Sequence, residues 1–376
     1  MAIKTFQYRI YLTRSQERQC VLYLDATRNL YNMCLSERKL MWEHHQQRVS
    51  KTEQLRQVKH YKCTFLYAKS VHSHALQIAV SDLDKAFQAF FRRMKSGETP
   101  GYPRFKSYKR WDSFGFKEYG NGFKLDGRRL QLSGIGRVRV RWHRSYEGQI
   151  KTCRIVRKAD GWYVSFACEV PDPQPLPETG KAVGIDVGLA HLLTTSDGEH
   201  TENPRWYREA QGKLRLKQRE LARAKIGSKN RRKRVNEVER LHLKVKRQRK
   251  DYIDKIVNHL VKQYDLIAIE DLKPTNMVRN KHLSKSILDA GWGYFRERLN
   301  IKAVDAGCAV VAVNPAYTSQ TCSACGCVNR ENRPDQATFS CIECGHSDNA
   351  DVNAAKNILN LARNGRDTSV LRNVAH

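Results

Sequence analysis

Ala182-Val-Gly-Ile-Asp186-Val-Gly188 is an apolar run with one carboxylate inside it. Residues 182–187 have the length and composition of a buried strand. Leu192–Thr195, followed by Ser196-Asp197-Gly198, reads as its hairpin partner. Further on, Leu266–Ile269 and Val310–Val313 are two more short apolar runs, separated from the first by helical patterns. The order strand, hairpin, helix, strand, helix, strand predicts an α/β layer rather than a helical bundle. A lone charge in a buried strand is expensive. Asp186 is therefore either satisfied by turn amides near Gly188 or kept for chemistry.

Two further acids occupy comparable places. Glu270 closes the strand Leu266-Ile-Ala-Ile-Glu270, and Asp351 opens a helix in Asp348-Asn-Ala-Asp351-Val-Asn-Ala-Ala. Taken singly, Glu270 also fits a solvated strand end, and Asp351 an N-terminal helix charge. Asp271 should point away from Glu270, toward solvent or a helix cap, and Asp348 is the better placed residue to cap the late helix. Together the three acids sit on a first strand, at a later strand's end and at a late helix's start. An RNase H-like fold uses that placement to bring distant carboxylates beside two divalent ions. Hard oxygen ligands suit Mg²⁺ or Mn²⁺, and two such ions serve in-line phosphodiester displacement.

Between the last two of these acids lie Cys322-Ser-Ala-Cys325-Gly and Cys341-Ile-Glu-Cys344-Gly. Each CxxCG turn offers two thiolates to one ion, so Cys322, Cys325, Cys341 and Cys344 form a closed tetrahedral set for structural zinc. Cys327 and His346 are nearby and are not assigned as ligands. The other cysteines of the eleven are scattered, as in a reducing cytoplasm.

Toward the N-terminus, PDPQPLPETG (171–180) reads as a stiff linker. Before it, Trp162, Val164, Phe166, Cys168 and Val170 alternate with polar positions, and Asp126-Gly127 and Asp160-Gly161 mark hairpins. Phe6, Tyr8, Ile10 and Leu12 alternate likewise at the start. Helical spacing then begins near Ser15, with Val21, Leu24, Leu30, Met33, Leu40 and Met41 on one stripe, and a second helix covers His74–Met94. A helical block is thus inserted after the first strand of a β-barrel-like domain.

The 376 residues carry a formal charge of +30. Between Arg205 and Lys250 there are 19 Lys/Arg against 4 Asp/Glu, half of the whole excess. Gly227-Ser228 divides this stretch into a helical hairpin whose second arm keeps an apolar seam from Val235 to Leu260. Such a surface is expected to lie against a polyanion, and nucleic acid is the first candidate. The hydrophobic fraction of 40% excludes wholesale disorder. No apolar run approaches a membrane span, and the N-terminus has no signal-like core. The expectation is a soluble, membrane-free protein.

Several phrases, in order, carry a family likeness: Thr27-Arg-Asn-Leu-Tyr-Asn32, Gly101-Tyr-Pro-Arg-Phe-Lys-Ser107, Gly184-Ile-Asp-Val-Gly188, Ile269-Glu-Asp-Leu272, Tyr317-Thr-Ser-Gln-Thr-Cys322, both CxxCG units and Asp351-Val-Asn-Ala-Ala355. The chain resembles the transposon-encoded TnpB proteins, RNA-guided nucleases related to type V CRISPR effectors, over nearly its whole length. The resemblance implies a RuvC-like (RNase H-like) nuclease domain at 181–314 and 350–364 holding catalytic Mg²⁺ or Mn²⁺ on Asp186, Glu270 and Asp351. It implies a zinc ribbon at 315–349, a wedge β-barrel at 1–14 and 117–180, a helical recognition domain at 15–116 and a tail at 365–376. The implied partners are a guide RNA from the transposon end and a double-stranded DNA target beside a short adjacent motif. The expected particle has one protein copy, in a prokaryotic cytoplasm and at the nucleoid when DNA is bound. Arg104, Lys106, Arg231, Arg232, Lys233 and Arg234 are the candidate nucleic-acid contacts. A nuclease-silent RNA-guided repressor and a DNA-binding transposition regulator are the competing readings. The first should have lost active-site acids, and the ribbon is too small a part of the chain to explain the second. A DDE transposase would place its acids in a different order, with the Glu on the helix.

Overall fold

The computed structural model describes residues 1–272, Met277, 284–365 and the backbone of 368–370. The chain divides into two compact units, Met1–Asp172 and Pro173–His376, and the division falls inside the proline-rich segment.

In the first unit, strand β1 (Ala2–Tyr11) is followed by helices α1 (Arg14–His45), α2 (Lys51–Thr64), α3 (Leu66–Lys69) and α4 (Ser73–Lys95). Seven strands come after: β2 (Ser113–Phe116), β3 (Glu118–Tyr119), β4 (Gly122–Asp126), β5 (Arg129–Leu132), β6 (Gly136–Arg141), β7 (Gln149–Lys158) and β8 (Gly161–Val170). They form one sheet in the order β2-β7-β8-β1-β6-β5-β4-β3. β1 lies centrally, antiparallel to β8 and β6, with Phe6 opposite Phe166 and Ile10 opposite Val140. Alternation drives this placement: Phe6, Tyr8 and Ile10 are buried, as are Trp162, Val164, Phe166, Cys168 and Val170. Ser113–Phe116 pairs with β7, so the sheet begins before the expected boundary at 117.

α1 starts where Thr13 and Gln16 close a capping box. Its buried stripe is Cys20, Tyr23, Leu24, Ala26, Thr27, Leu30, Tyr31, Cys34 and Leu35. Met33 and Leu40, expected on that stripe, are 46% and 49% exposed: Met33 lies off the face that Leu30, Tyr31, Cys34 and Leu35 turn inward, and Leu40 lies beyond Leu35, where that face ends. Trp111 donates from Nε1 to the buried Thr27 Oγ1 at 2.9 Å, pinning the segment before β2 to α1.

The second unit carries β9 (Ala182–Asp186), β10 (His191–Thr195), β11 (His200–Glu202), α5 (Trp206–Arg223), α6 (Lys229–Gln263), β12 (Leu266–Glu270), α7 (Ser284–Ala290), α8 (Trp292–Ala306), β13 (Ala309–Val313), β14 (Thr338–Ser340), β15 (Ser347–Asn349), α9 (Ala350–Arg363) and β16 (Thr368–Val370). The main sheet runs β11-β10-β9-β12-β13-β16. β9, β12 and β13 are parallel, while β10 and β11 continue antiparallel from β9. Thr368–Val370 pairs antiparallel with β13, so part of the expected tail is a sheet edge.

Both faces of the sheet are covered, as parallel strands require. Val183, Ile185, Ile267, Ile269 and Val310 pack with Ile253, Val257 and Leu260 of α6 and Phe295, Leu299 and Ala303 of α8. Ala268, Val311 and Val313 meet Ile358 of α9 on the opposite face. The end of the linker is bound to this unit. The Asp265 carboxylate accepts from the amides of Thr179 and Gly180 at 2.6–3.0 Å. Among the described residues, no helix is long and apolar enough to cross a membrane.

Candidate functional site

Asp186 and Glu270 are the last residues of neighbouring parallel strands. Ile185 is in register with Ile269, so the two carboxylates leave the sheet side by side at its C-terminal edge. Ligands of open α/β sheets bind at such edges. Asp351 arrives from the first turn of α9, and that helix reaches the sheet because residue 184 is glycine. A Cβ there would lie 2.0 Å from the Ala355 carbonyl oxygen and 2.8 Å from the Leu359 nitrogen. Ala355 is one helical turn beyond Asp351, so the close approach of backbone to strand sets the third acid's position.

Asn349 caps this helix, accepting from the amides of Asp351 and Val352 at 3.0 and 3.2 Å. Asp348, the expected cap, instead accepts from Lys356 Nζ at 2.7 Å, which draws it along the helix flank. Asp271, with a side chain 41% exposed, faces solvent as expected and also pairs with Arg296 at 2.6 Å.

Asp186 is within electrostatic reach of both other acids. Burial, then the charges of Glu270 and Asp351, push the Asp186 carboxyl up to about 7, against an opposing pull from Arg333. Burial also raises Glu270, and a 2.6 Å hydrogen bond from Thr318 Oγ1 to its Oε1 moderates the rise. Arg333 Nη2 stands 3.4 Å from Asp351 Oδ1. The carboxylates do not gather as tightly as the thiols described below, whose ligand atoms all lie within 4.8 Å of one another. Asp186 and Glu270, whose carboxyls burial raises, and Asp351 offer hard oxygens of the kind divalent cations take.

Thr318 and Arg333 were not among the sequence candidates. Both lie in the connection between β13 and α9, where no periodicity marks a side chain's direction. Tyr317, just before Thr318, has a positive φ of 64°, which is uncommon for an aromatic residue and turns the chain beneath Glu270. Its carbonyl accepts from the amides of Gln320 and Thr321. Two buried asparagines of α9 hold the same connection: Asn353 Nδ2 donates to the Thr321 carbonyl at 2.8 Å, and Asn357 Nδ2 donates to the Thr318 carbonyl at 2.9 Å. The spacing Asp351-x-Asn353-x-x-x-Asn357 is their sequence signal.

The four cysteines converge as expected. Sγ separations are 3.7 Å for Cys322 and Cys344 and 3.6 Å for Cys325 and Cys341. Four thiolates at zinc-bond length around one ion would stand about 3.8 Å apart. Gly326 and Gly345 have φ of 79° and 70°, and each donates its amide to the carbonyl of the first cysteine of its unit. That left-handed step lets each CxxC turn close. Cys327 and His346 lie outside this cluster. Cys322, Phe339, Cys341 and Ala350 form a small core of their own, so the ribbon's packing continues into the first residue of α9.

Replacing Cys341 by serine should therefore remove about one equivalent of zinc and loosen the start of α9. Structural zinc contributes on the order of 10 kcal/mol to such small sites. Metal analysis of the purified variant checks this, and full zinc occupancy would refute the ligand assignment.

The candidate nucleic-acid contacts separate into two kinds. Arg231 donates from Nη1 to the carbonyls of Leu221 and Ala224 at 2.8 and 3.0 Å, so it caps the end of α5. Arg234 is 2.8 Å from Glu220 and 3.0 Å from Glu237, in a network with Lys217. Both guanidiniums hold the α5–α6 hairpin together. Arg232 and Lys233 are exposed. In the first unit Arg104 is exposed, while the Lys106 main chain exchanges hydrogen bonds with Asn32 and its Nζ lies 5.6 Å from the centre of the Tyr31 ring.

Comparison with known proteins bears on these elements. Residues 165–281 match the family OrfB_IS605, described as "Probable transposase"; 292–358 match "Cas12f1-like, TNB domain". Residues 1–47 match a "Helix-turn-helix domain", although here they form a strand and one uninterrupted helix. The "Putative RNA-guided DNA endonuclease InsQ" of Escherichia coli K12 is 36% identical over 78% of this chain and 75% of its own. A protein of Streptomyces pristinaespiralis with the same designation is 33% identical over 95% of this chain and 88% of its own. The CRISPR-associated endodeoxyribonuclease Cas12f1 of Sulfoacidibacillus thermotolerans is 29% identical over 60% and 57%. Among solved structures, the mini RNA-guided endonuclease CRISPR-Cas phi3 aligns over 96% of this chain and 92% of that one, at 13% identity and a TM-score of 0.49.

Proposed function

The chain belongs to the TnpB-like family of OrfB_IS605 transposases, and from that membership we propose that it is an RNA-guided DNA endonuclease of a transposable element. The observation that carries the reading is the convergence of Asp186, Glu270 and Asp351 from two strand ends and a helix start, with Asp186 pushed up to about 7 by burial and its two neighbours. On this reading Pro173–His376 holds a RuvC-like, RNase H-like nuclease domain, supported by a sheet whose first three strands are antiparallel and whose later two run parallel to the first. The eight-stranded sheet of the first unit is its wedge barrel, and α1–α4 its recognition domain.

Asp186, Glu270 and Asp351 would hold two Mg²⁺ or Mn²⁺ ions, which when bound supply an activated water and stabilise the leaving oxygen. The protein's own part is orientation. Thr318 fixes the Glu270 carboxylate and favours its charged form, Asn349 holds the helix start that presents Asp351, and Arg333 balances charge at the open side. The zinc ribbon supports the loop that carries Thr318. Arg104, Arg232 and Lys233 are assigned to phosphate contact, with a guide RNA pairing to the DNA target beside a short adjacent motif. Retention of all three acids argues against a nuclease-silent repressor.

Sequencing the RNA that copurifies with the full chain from cells carrying its element tests the guided part. One dominant transcript from the element's end is expected. Cellular RNA recovered in proportion to abundance would overturn it.

A further inference from the structure

A cavity of about 560 Å³ lies in the second unit among the start of α5, α6, α7 and α8, apart from the carboxylate edge. His242, Lys246, Arg249, Lys250 and Lys285 line it, with Asp289 as its one acid. Asp289 is fully engaged: it accepts from the amides of Tyr207 and Arg208 and from Arg249 Nη2 at 2.7 Å. It therefore stabilises the start of α5, and Lys246, Lys250 and Lys285 have no other acid beside them among the described residues that line the cavity. Arg249 Nε is buried with no hydrogen-bond partner among the described residues, an orphan donor at the cavity wall.

The remaining wall is made by Tyr207, Val245, Leu288 and Tyr294, two aromatic rings and two aliphatic side chains. Leu288 is 63% exposed although it lies next to the buried Asp289. Tyr294 is held in place by a hydrogen bond from its hydroxyl to Asp254, and Lys250 Nζ stands 4.3 Å from its ring centre. Cations, an unfilled donor and an apolar wall in one cavity match an anion joined to a planar apolar group. The volume is too large for a phosphate alone.

We propose that this cavity takes a single nucleotide turned out of a bound strand, its phosphate on Lys246, Lys285 and Arg249 and its base against Tyr207, Tyr294 and Leu288. The inference rests on the reading that this protein handles nucleic acid. RNA and DNA share the chemistry, so the test separates them. The full chain is mixed with a 12-nucleotide RNA containing 4-thiouridine or a matching DNA containing 4-thiothymidine, irradiated, and mapped by peptide mass spectrometry.

At least one probe should form adducts on the peptides carrying Tyr207 or Tyr294, and the probe that does so names the source. The double variant Lys246→Ala, Lys285→Ala should lower those adducts about tenfold and leave adducts elsewhere unchanged. Binding with adducts only on other peptides overturns the pocket and spares the proposed function. An unchanged yield in the double variant also overturns it. Failure of both probes to bind at all would remove the pocket and the wider reading together.

Discussion

Asp186→Asn should abolish Mg²⁺-dependent DNA cleavage and, in magnesium-free buffer with zinc retained, make the protein more stable at pH 8. The two effects share one cause. Asp186 lies where burial and the charges of Glu270 and Asp351 hold its carboxyl near 7, against about 4 in an open chain. Between about pH 4 and pH 7 the unfolded chain has released this proton and the folded chain has kept it. Stability therefore falls as pH rises through that window, by roughly 2–4 kcal/mol, and stays reduced above it. Asparagine keeps the size and removes the titration, so the variant escapes the loss. Added Mg²⁺ should then raise the melting temperature of the wild type by mass action and leave the variant unmoved.

Cleavage should drop at least about 10³-fold, since a divalent cation supplies several kcal/mol of transition-state stabilisation and this ligand helps to hold it. RNA and DNA affinity should change little. Melting curves at pH 5 and 8, with and without Mg²⁺, together with a cleavage assay, decide the matter. A variant that cuts normally, or one that melts below the wild type at pH 8 without Mg²⁺, would remove Asp186 from the centre of the site.

Elements whose register is set by a strong periodic pattern were legible in the sequence. β8 alternates without a break over nine residues, and every apolar position expected to be inside is inside. The positions of Asp186 and Glu270 at strand ends were legible because a carboxylate ending an apolar strand is costly and therefore conspicuous, whereas Asp351 at a helix start carried no such signal of its own. The ribbon was legible because CxxCG spacing has few other uses.

What escaped notice lacked such a signal. α2 buries only Gln54, Val58 and Tyr61, so it shows almost no apolar stripe. Its one local mark is the Ser50–Glu53 capping box, which the structure closes on both sides. Arg231 and Arg234 look from composition like free surface charge. Their partners, the carbonyls ending α5 and the Glu220–Glu237 pair, become visible only when the helical hairpin folds back on itself. Thr318 and Arg333 sit in a connection with no period at all, and their roles depend on what the fold places opposite them. The Asp348 and Asn349 exchange is a competition between two good cap residues, decided by Lys356 eight residues after Asp348.

Gly184→Ala should be the most damaging single-methyl addition in the second unit. The new Cβ would stand 2.0 Å from the Ala355 carbonyl oxygen, 2.8 Å from the Leu359 nitrogen and 2.9 Å from the Leu359 Cβ. Two of these three atoms are backbone, so no side chain can rotate to make room. α9 must retreat from β9, and its other bonds resist. Asn353 and Asn357 tie it to the Thr318–Ser323 connection, and Ile358 is fully buried against the sheet. Overpacking of this kind costs about 3 kcal/mol at its upper range, which for a unit of this size lowers the melting temperature by about 6–12 °C.

Retreat also carries Asp351 away from Asp186, because Ala355 and Asp351 are one turn apart on the same rigid helix. Cleavage should fall about 10²-fold or more, and zinc content should stay whole, which separates this lesion from damage to the ribbon. Gly212 provides the contrast. It lies within α5, a Cβ there would meet nothing within 4 Å, and alanine should stabilise that helix by up to about 1 kcal/mol. If Gly184→Ala melts and cuts like the wild type while Gly212→Ala behaves as expected, the contact between α9 and β9 is not what brings the third carboxylate to the other two.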